Sequence, residues 1–276
     1  MPNPKALLDH FGVIPKKSLG QNFLHDPQAL EKIADAAELM PDDTVLEIGP
    51  GTGALTEVLA QRVKRVIAVE LDRRLEPIMG LTLAPYHNVE VIFNDIMNVN
   101  IRELIGTDDD YVVVANVPYY ITSAILRLLF ESEPRPRRIV LTVQLEVGQR
   151  MIAKAGDMSL LSVSAQFYAK PKIVTRFNKA VFYPRPDIDS AVVRLDVYDK
   201  PQVDVPSAEL FFRVVKAGFG QKRKQLKNSV SEGLHIDAES AVVLLKAAGI
   251  DPTRRAETLS LVEWAALTRG VHAASS

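Results

Sequence analysis

Asn116, Val117, Pro118 and Tyr119 stand where an apolar run, Tyr111 to Ala115, gives out: an amide side chain, then a proline, then an aromatic ring. Such a quartet suits chemistry on a flat ring bearing an amine. The exocyclic amine of a purine is a poor nucleophile because its lone pair is delocalised. Two acceptors gripping its N–H groups would favour the pyramidal form and aim the lone pair outward, and Asn116 Oδ1 with the Val117 carbonyl are acceptors of that kind. Pro118 has no N–H and keeps Val117 extended, which turns that carbonyl toward a substrate. Tyr119 offers a face for base stacking. No catalytic acid or base is required, since the proton can leave to water once the nitrogen has been alkylated and is cationic. Taken alone, the same quartet also describes an ordinary strand-to-turn transition.

A second constellation lies upstream. Val45 Leu46 leads into Glu47 Ile48 Gly49 Pro50 Gly51 Thr52 Gly53 and then a helical pattern, so a strand, a glycine turn and a helix start follow one another where backbone must approach a ligand closely. The spacing is not that of a dinucleotide fingerprint: three residues beyond Gly51 stands Ala54, and the next residues bring no glycine. No lysine follows the glycines, so a phosphate-binding P-loop is excluded as well. Glu47 would repel a pyrophosphate but tolerate a ligand carrying an ammonium and a sulfonium, and S-adenosylmethionine is such a ligand. Glu70 ends the next strand about 20 residues beyond the glycines, where a carboxylate can accept from both ribose hydroxyls. Asp95 follows the third strand, placed to accept from an adenine amino group. Each acid by itself reads as a plain strand-end carboxylate; in series beside a glycine turn they outline an adenosine pocket. The chemistry this implies is in-line transfer from sulfonium to nitrogen, driven by proximity and orientation.

The elements that must hold these residues are legible in outline. Thr44 to Ile48, Val66 to Glu70, Val89 to Phe93, Tyr111 to Ala115 and Arg138 to Val143 are short runs rich in β-branched residues, most of them separated by helical spacing such as Ala54 to Gln61 and Ser123 to Phe130. That alternation predicts a wound α/β sheet, whose active sites lie at the carboxyl ends of its strands. Asp26 and Pro27 make an N-cap and first-turn pair for a helix running to about Leu39. Ile173 to Phe177 and Ala191 to Val197 predict a later, antiparallel pair. Past Pro201 and Pro206 the pattern becomes wholly helical, through Phe211 to Phe219, Leu226 to Val230, Ala241 to Ala248 and Leu259 to Leu267. The expected division is a first domain over 1–203, holding the methyl donor, and a helical domain over 204–276.

Composition narrows the classes further. With no cysteine in 276 residues, disulfides, thiolate-bound zinc, iron–sulfur clusters and thiol catalysis are excluded, and no metal is expected. No apolar run approaches the roughly 18 residues of a membrane span, and Met1 to Lys5 has no signal-like core, so the expectation is a cytoplasmic protein with no membrane partner. The net charge of −1 says nothing of nucleic acid, but its distribution does. Between Asp157 and Asp187 the charges are Lys170, Lys172, Arg176, Lys179 and Arg185; between Glu209 and Glu232 they are Arg213, Lys216, Lys222, Arg223, Lys224 and Lys227. Such stretches repel themselves unless an anion binds, although a solvated helix face is the plainer explanation.

Beyond these local readings, an ordered series of segments spans the chain: Leu19 to Leu24 (LGQNFL), Glu47 to Gly53, Val69 to Asp72, Asn116 to Tyr119, Gln144 with Glu146 and Val147, Leu161 to Val163, Phe182 to Pro186, Asp189 to Val193 and Phe219 to Asn228. In these the chain resembles the KsgA-type ribosomal RNA adenine dimethyltransferases along nearly its whole length. The resemblance implies a Rossmann-like, seven-stranded class I SAM-dependent methyltransferase domain followed by a small all-helical C-terminal domain. It implies transfer of two methyl groups from S-adenosylmethionine to each of two adjacent adenosines near the 3′ end of 16S rRNA, by a monomer that acts on the small ribosomal subunit during its biogenesis. Carried over residue by residue, Asn22 and Leu24 would touch the cofactor from the N-terminal loop, Gly49 its methionine part, Glu70 the ribose, Asp95 the adenine and Asn116 the transfer centre. Gly51 belongs to the same turn, Tyr119 and Phe182 would sandwich the target base, and Lys222, Arg223, Lys224 and Lys227 would hold RNA phosphates. The family usually has leucine where Val117 stands, and usually a fuller Tyr-Gly loop before Leu161. Three readings stay open beside this one: a large-subunit RNA methyltransferase of the erythromycin-resistance type, a DNA adenine methyltransferase, and an assembly factor that binds RNA without catalysis.

Overall fold

The computed structural model describes residues 3–108, 110–116, 118 and 121–275. Nine strands are described: β1 Phe23–Leu24, β2 Thr44–Ile48, β3 Arg65–Glu70, β4 Val89–Phe93, β5 Tyr111–Asn116, β6 Arg138–Gln144, β7 Ala169–Phe177, β8 Phe182–Tyr183 and β9 Ser190–Val197. Seven of them form one sheet in the order β4-β3-β2-β5-β6-β9-β7, and β1 pairs with β8 in a separate antiparallel ribbon. The pairings from β4 through β6 are parallel, and β9 runs antiparallel to β6 from Arg138 opposite Asp196 to Gln144 opposite Ser190.

The five expected parallel strands stand where their β-branched runs predict them. Val112 to Ala115 and Val45 to Leu46 are wholly inaccessible to solvent, as strands covered on both faces must be. Helix Pro27–Ala37 begins as its sequence predicts: Asp26 accepts the N–H of Ala29 at 2.8 Å, and Pro27 occupies the first turn. Its apolar stripe, Leu30, Ile33, Ala34 and Ala37, packs with Val45, Val58, Val112 and Val140 in the main core. β7 starts at Ala169, four residues before the apolar run that signals it, because its first half alternates exposed lysines with a half-buried proline.

The chain forms two compact units, 1–148 with 170–197, and 149–169 with 198–276. The expectation was one cut near residue 203, with everything before it in the first domain; the structure instead assigns 149–169 to the second unit. The reason lies in what that segment packs on. Phe167 stacks on Phe211 with centroids 4.5 Å apart, the Phe167 carbonyl accepts the Gln202 N–H, and the Glu257 carbonyl accepts the N–H groups of Gly156 and Met158. The rest of this unit is helical: Ala208–Phe219, Leu226–Leu234, Ala238–Ala247 and Leu261–Ser275, closed around a fully buried Trp264 that packs on Phe219.

Candidate active site

The carboxyl ends of β2, β3, β4 and β5 open into one cleft of about 990 Å³, its mouth included. Asn22, Leu24, Gly49, Gly51, Glu70, Asp95, Asn116 and Pro118 all line it, together with Glu47. Residues scattered over nearly a hundred positions are thereby brought to one place, as open α/β sheets require. Val117 and Tyr119, the other members of the expected quartet, lie outside the described residues.

The glycine turn sets the floor. Gly51 has φ +62°, and a Cβ built on it would stand 2.9 Å from Phe23 Cδ1, so only glycine admits this backbone beneath β1. The Gly51 N–H donates to Glu70 Oε2 at 3.0 Å, and the Asp72 N–H donates to Glu70 Oε1 at 2.8 Å. Glu70 is thus anchored to the turn and to its own loop before any ligand arrives. Burial pushes its carboxyl up from the usual carboxylate range, against the opposing pull of those two N–H groups.

Glu47 is the more unusual acid. It is 1% exposed, and burial, reinforced by the charge of Glu70, raises its pKa to about 8. The Thr56 hydroxyl lies near enough to Glu47 to pull its pKa down against that burial, yet neither Glu47 Oε2 nor Thr56 Oγ1 makes a hydrogen bond of good geometry among the described residues. A buried carboxyl oxygen without a partner costs free energy unless something donates to it. An ammonium entering the cleft beside the glycine turn would be such a donor.

Residues 14–24 form a strap of which 19–24 line the cleft. Gly20 (φ +56°) lies so close to the turn after β5 that a Cβ there would stand 2.7 Å from Pro118 Cβ. Asn22 Nδ2 donates to the Gly20 carbonyl at 3.0 Å, and Asn116 Nδ2 donates to the Asn22 carbonyl at 3.3 Å. With its nitrogen used in that way, Asn116 leaves Oδ1 to accept from a substrate. Upstream, Gln21 Nε2 donates to Asp72 Oδ2 at 2.7 Å while Gln21 Oε1 accepts the Lys16 N–H at 2.7 Å. Arg74 also grips Asp72, through Nε at 2.9 Å and Nη2 at 2.6 Å, and donates from Nη1 to the Ile14 carbonyl at 3.1 Å. Burial opposes ionisation of Asp72, but the bonds from Arg74 and Gln21 outweigh it and hold its carboxyl below the usual value.

Phe182 differs from its expectation. Instead of facing a substrate it is 3% exposed and packs in the main core with Leu24, Phe177 and Val192, because pairing of β8 with β1 sets it opposite Leu24. Tyr183, half-buried, is its neighbour in that ribbon. Asp95 caps the short turn Ile96–Asn98 by accepting the Met97 N–H at 2.9 Å, which holds it at the cleft wall. In the second unit Lys222, Arg223 and Lys224 lie exposed in the turn between two helices, and Lys227 is half-buried at the start of the second. Sequence reasoning missed the Gln21–Asp72–Arg74 network, although each residue carries a polar group beside a motif.

A seven-stranded sheet in which β9 runs antiparallel to β6, with a glycine turn after β2 and acids at successive strand ends, defines the class I, Rossmann-like fold of the SAM-dependent methyltransferases. The family model described as ribosomal RNA adenine dimethylase matches residues 14–267. The chain is 45% identical over 274 residues to a protein of Moorella thermoacetica named ribosomal RNA small subunit methyltransferase A, covering 96% of this chain and 95% of the relative. It is 43% identical over 264 residues to a protein of the same name from Dehalococcoides mccartyi, covering 96% and 91%. Among solved structures it resembles a dimethyladenosine transferase from Plasmodium falciparum (TM-score 0.74, 26% identity, 89% and 95% covered) and the 23S rRNA methyltransferase ErmE (0.72, 27%, 91% and 100%). This chain belongs to the ribosomal RNA adenine dimethylase family and is an enzyme of that family.

Proposed function

We propose that this protein dimethylates the N6 amines of two adjacent adenosines near the 3′ end of 16S rRNA in the small ribosomal subunit, with S-adenosylmethionine as methyl donor. The observation that carries the reading is that Asn116, its amide nitrogen tied to the Asn22 carbonyl, shares one cleft with Glu70, Asp95 and the Gly49–Gly51 turn. The residues fit the donor: Glu47 Oε2, buried and without a partner among the described residues, suits its ammonium, Glu70 its ribose, and Asp95 its adenine. When bound, the donor supplies a methyl group on a sulfonium as the electrophile. Asn22 and Leu24 close the cleft from the strap, and the close approach of Phe23 to Gly51 limits water at the floor.

On the substrate side Asn116 Oδ1 accepts one N–H of the adenine amine and the Val117 carbonyl the other. The nitrogen lone pair then points at the sulfonium methyl, so rate comes from alignment rather than proton transfer. A base within a duplex cannot reach such a site, and the adenosine must be looped out or flipped. Tyr119 stacks on it, while Phe182, from its place in the core, supports the wall behind Leu24. We assign RNA binding to Lys222, Arg223, Lys224 and Lys227 of the helical C-terminal region, methyl transfer to the N-terminal domain, and a cytoplasmic setting to the monomer.

The deciding experiment is incubation with labelled S-adenosylmethionine and unmethylated small subunits, followed by nucleoside analysis. Label in dimethyladenosine of small-subunit RNA is the expected result. Label confined to large-subunit RNA would favour the erythromycin-resistance type, the reading that the likeness to ErmE keeps in view. Absence of label from both would turn the protein into a binding factor.

A further inference from the structure

Among the described residues no hydrogen bond from the side chain of Gln21 or Asp72 reaches Asn116, Glu47, Glu70 or Asp95, yet the pair joins the two ends of the cleft. On one side the Asp72 N–H donates to Glu70 Oε1 at 2.8 Å. From the same residue the carboxylate receives Gln21 Nε2 at 2.7 Å. Gln21 in turn holds the strap, its Oε1 taking the Lys16 N–H. One residue further on, the Asn22 carbonyl receives Asn116 Nδ2. The path from the ribose acid to the transfer centre therefore runs through three hydrogen bonds and the peptide link from Gln21 to Asn22, and Arg74 braces its middle by holding both Asp72 and the Ile14 carbonyl.

The residue types are those the geometry demands. Position 21 must donate to a carboxylate and accept from a backbone N–H, and an amide does both. Glutamate would set a second carboxylate against Asp72, and lysine would lack the acceptor. Asp72 is 6% exposed, so its oxygens cannot exchange these partners for bulk water. Gly20, pressed against Pro118, leaves the strap no slack between the two ends of the path.

We propose that Gln21 is a positioning residue which, through Asp72, makes the setting of the Asn116 amide depend on what occupies Glu70. Ribose hydroxyls on Glu70 draw on the carboxylate that also holds the Asp72 N–H, and the strap passes the shift to the Asn22 carbonyl and so to Asn116. The inference rests on the cleft being the methyl-transfer site.

The test compares the wild type with Gln21→Glu, Gln21→Ala and the exchanged pair Gln21→Glu with Asp72→Asn, in which carboxylate and amide trade places. With small subunits and saturating S-adenosylmethionine, the single variants should lose about tenfold or more in kcat. Their KM for the donor should stay within about threefold, and the exchanged pair should recover part of the loss. A readout independent of turnover is the side-chain amide signal of Asn116 by NMR, followed as S-adenosylhomocysteine is added. It should move in the wild type and the exchanged pair and stay fixed in Gln21→Glu, with the product still bound. Loss of thermal stability with kcat per folded molecule unchanged, or an Asn116 signal that moves equally in Gln21→Glu, overturns the proposal. Wild-type protein that methylates no RNA refutes the functional reading instead, and the NMR comparison still decides the coupling.

Discussion

Asn116 spends its amide nitrogen on the Asn22 carbonyl, and the proposed mechanism gives its oxygen to the substrate. Replacement by alanine removes that acceptor, and Asn116→Ala should abolish methyl transfer while donor affinity, measured by calorimetry, stays within a small factor. Near-normal turnover would remove Asn116 from the mechanism. Glu47 makes a second, pH-dependent forecast. Its carboxyl is raised from 4.5 to about 8 by burial, so between those values the folded protein holds a proton that the unfolded chain releases. The resulting stability is fully present below about pH 4.5 and is lost as pH rises toward 8. Glu47→Gln, neutral throughout, should therefore match the wild type near pH 5 and exceed it at pH 8, by an amount on the order of a few kcal/mol, in chemical denaturation. A donor ammonium reverses the balance by favouring the carboxylate. Binding at pH 7 should release a proton from the wild type that Glu47→Gln does not release, measured by titration in buffers of different ionisation heat. Equal proton counts would show that Glu47 does not meet the ammonium.

At the scale of elements, the strap meets the glycine turn at Gly51 and the turn after β5 at Gly20, two contacts that admit no side chain. Gly51→Ala would bring a Cβ to 2.9 Å from Phe23 Cδ1 at φ +62°, and should weaken donor binding, read as a smaller rise in melting temperature on adding S-adenosylhomocysteine. Gly20→Ala would press on Pro118 and should instead lower kcat more than donor affinity. The opposite ranking of the two effects would mean that the strap and the turn do not serve the separate roles given to them. The β1–β8 ribbon explains the fate of Phe182. Two residues in each strand suffice to seat that ring in the core, since pairing with Leu24 leaves it no open side.

For the molecule as a whole, the RNA contacts proposed for the basic turn of the second unit predict a salt dependence. Each phosphate contact on single-stranded RNA adds about 0.7 to the slope of log affinity against log salt. Lys222 and Arg223 are exposed, whereas Lys224 is already paired with Glu232 at 3.3 Å. Lys222→Ala with Arg223→Ala should thus flatten the slope by about 1.4, and Lys224→Ala alone by less than one full contact. An unchanged slope in the double variant would remove this turn from the RNA-binding surface. No helix among the described residues is long and apolar enough to cross a membrane.

The parallel core of the sheet, the glycine turn and the acids at successive strand ends were legible from residue order, because β-branched runs, glycine spacing and strand-end polarity are local properties written in adjacent residues. Helix Pro27–Ala37 was equally legible, since its cap and its apolar stripe lie within one short segment. Tertiary structure alone decided that 149–169 joins the second unit, that Phe182 is core, and that Gln21, Asp72 and Arg74 bind one another. Those outcomes depend on partners 51 residues away in one case, and on Leu24 against Phe182 in another. A two-residue strand or a single amide carries no periodicity, so nothing in the neighbouring letters marks which distant group it will meet.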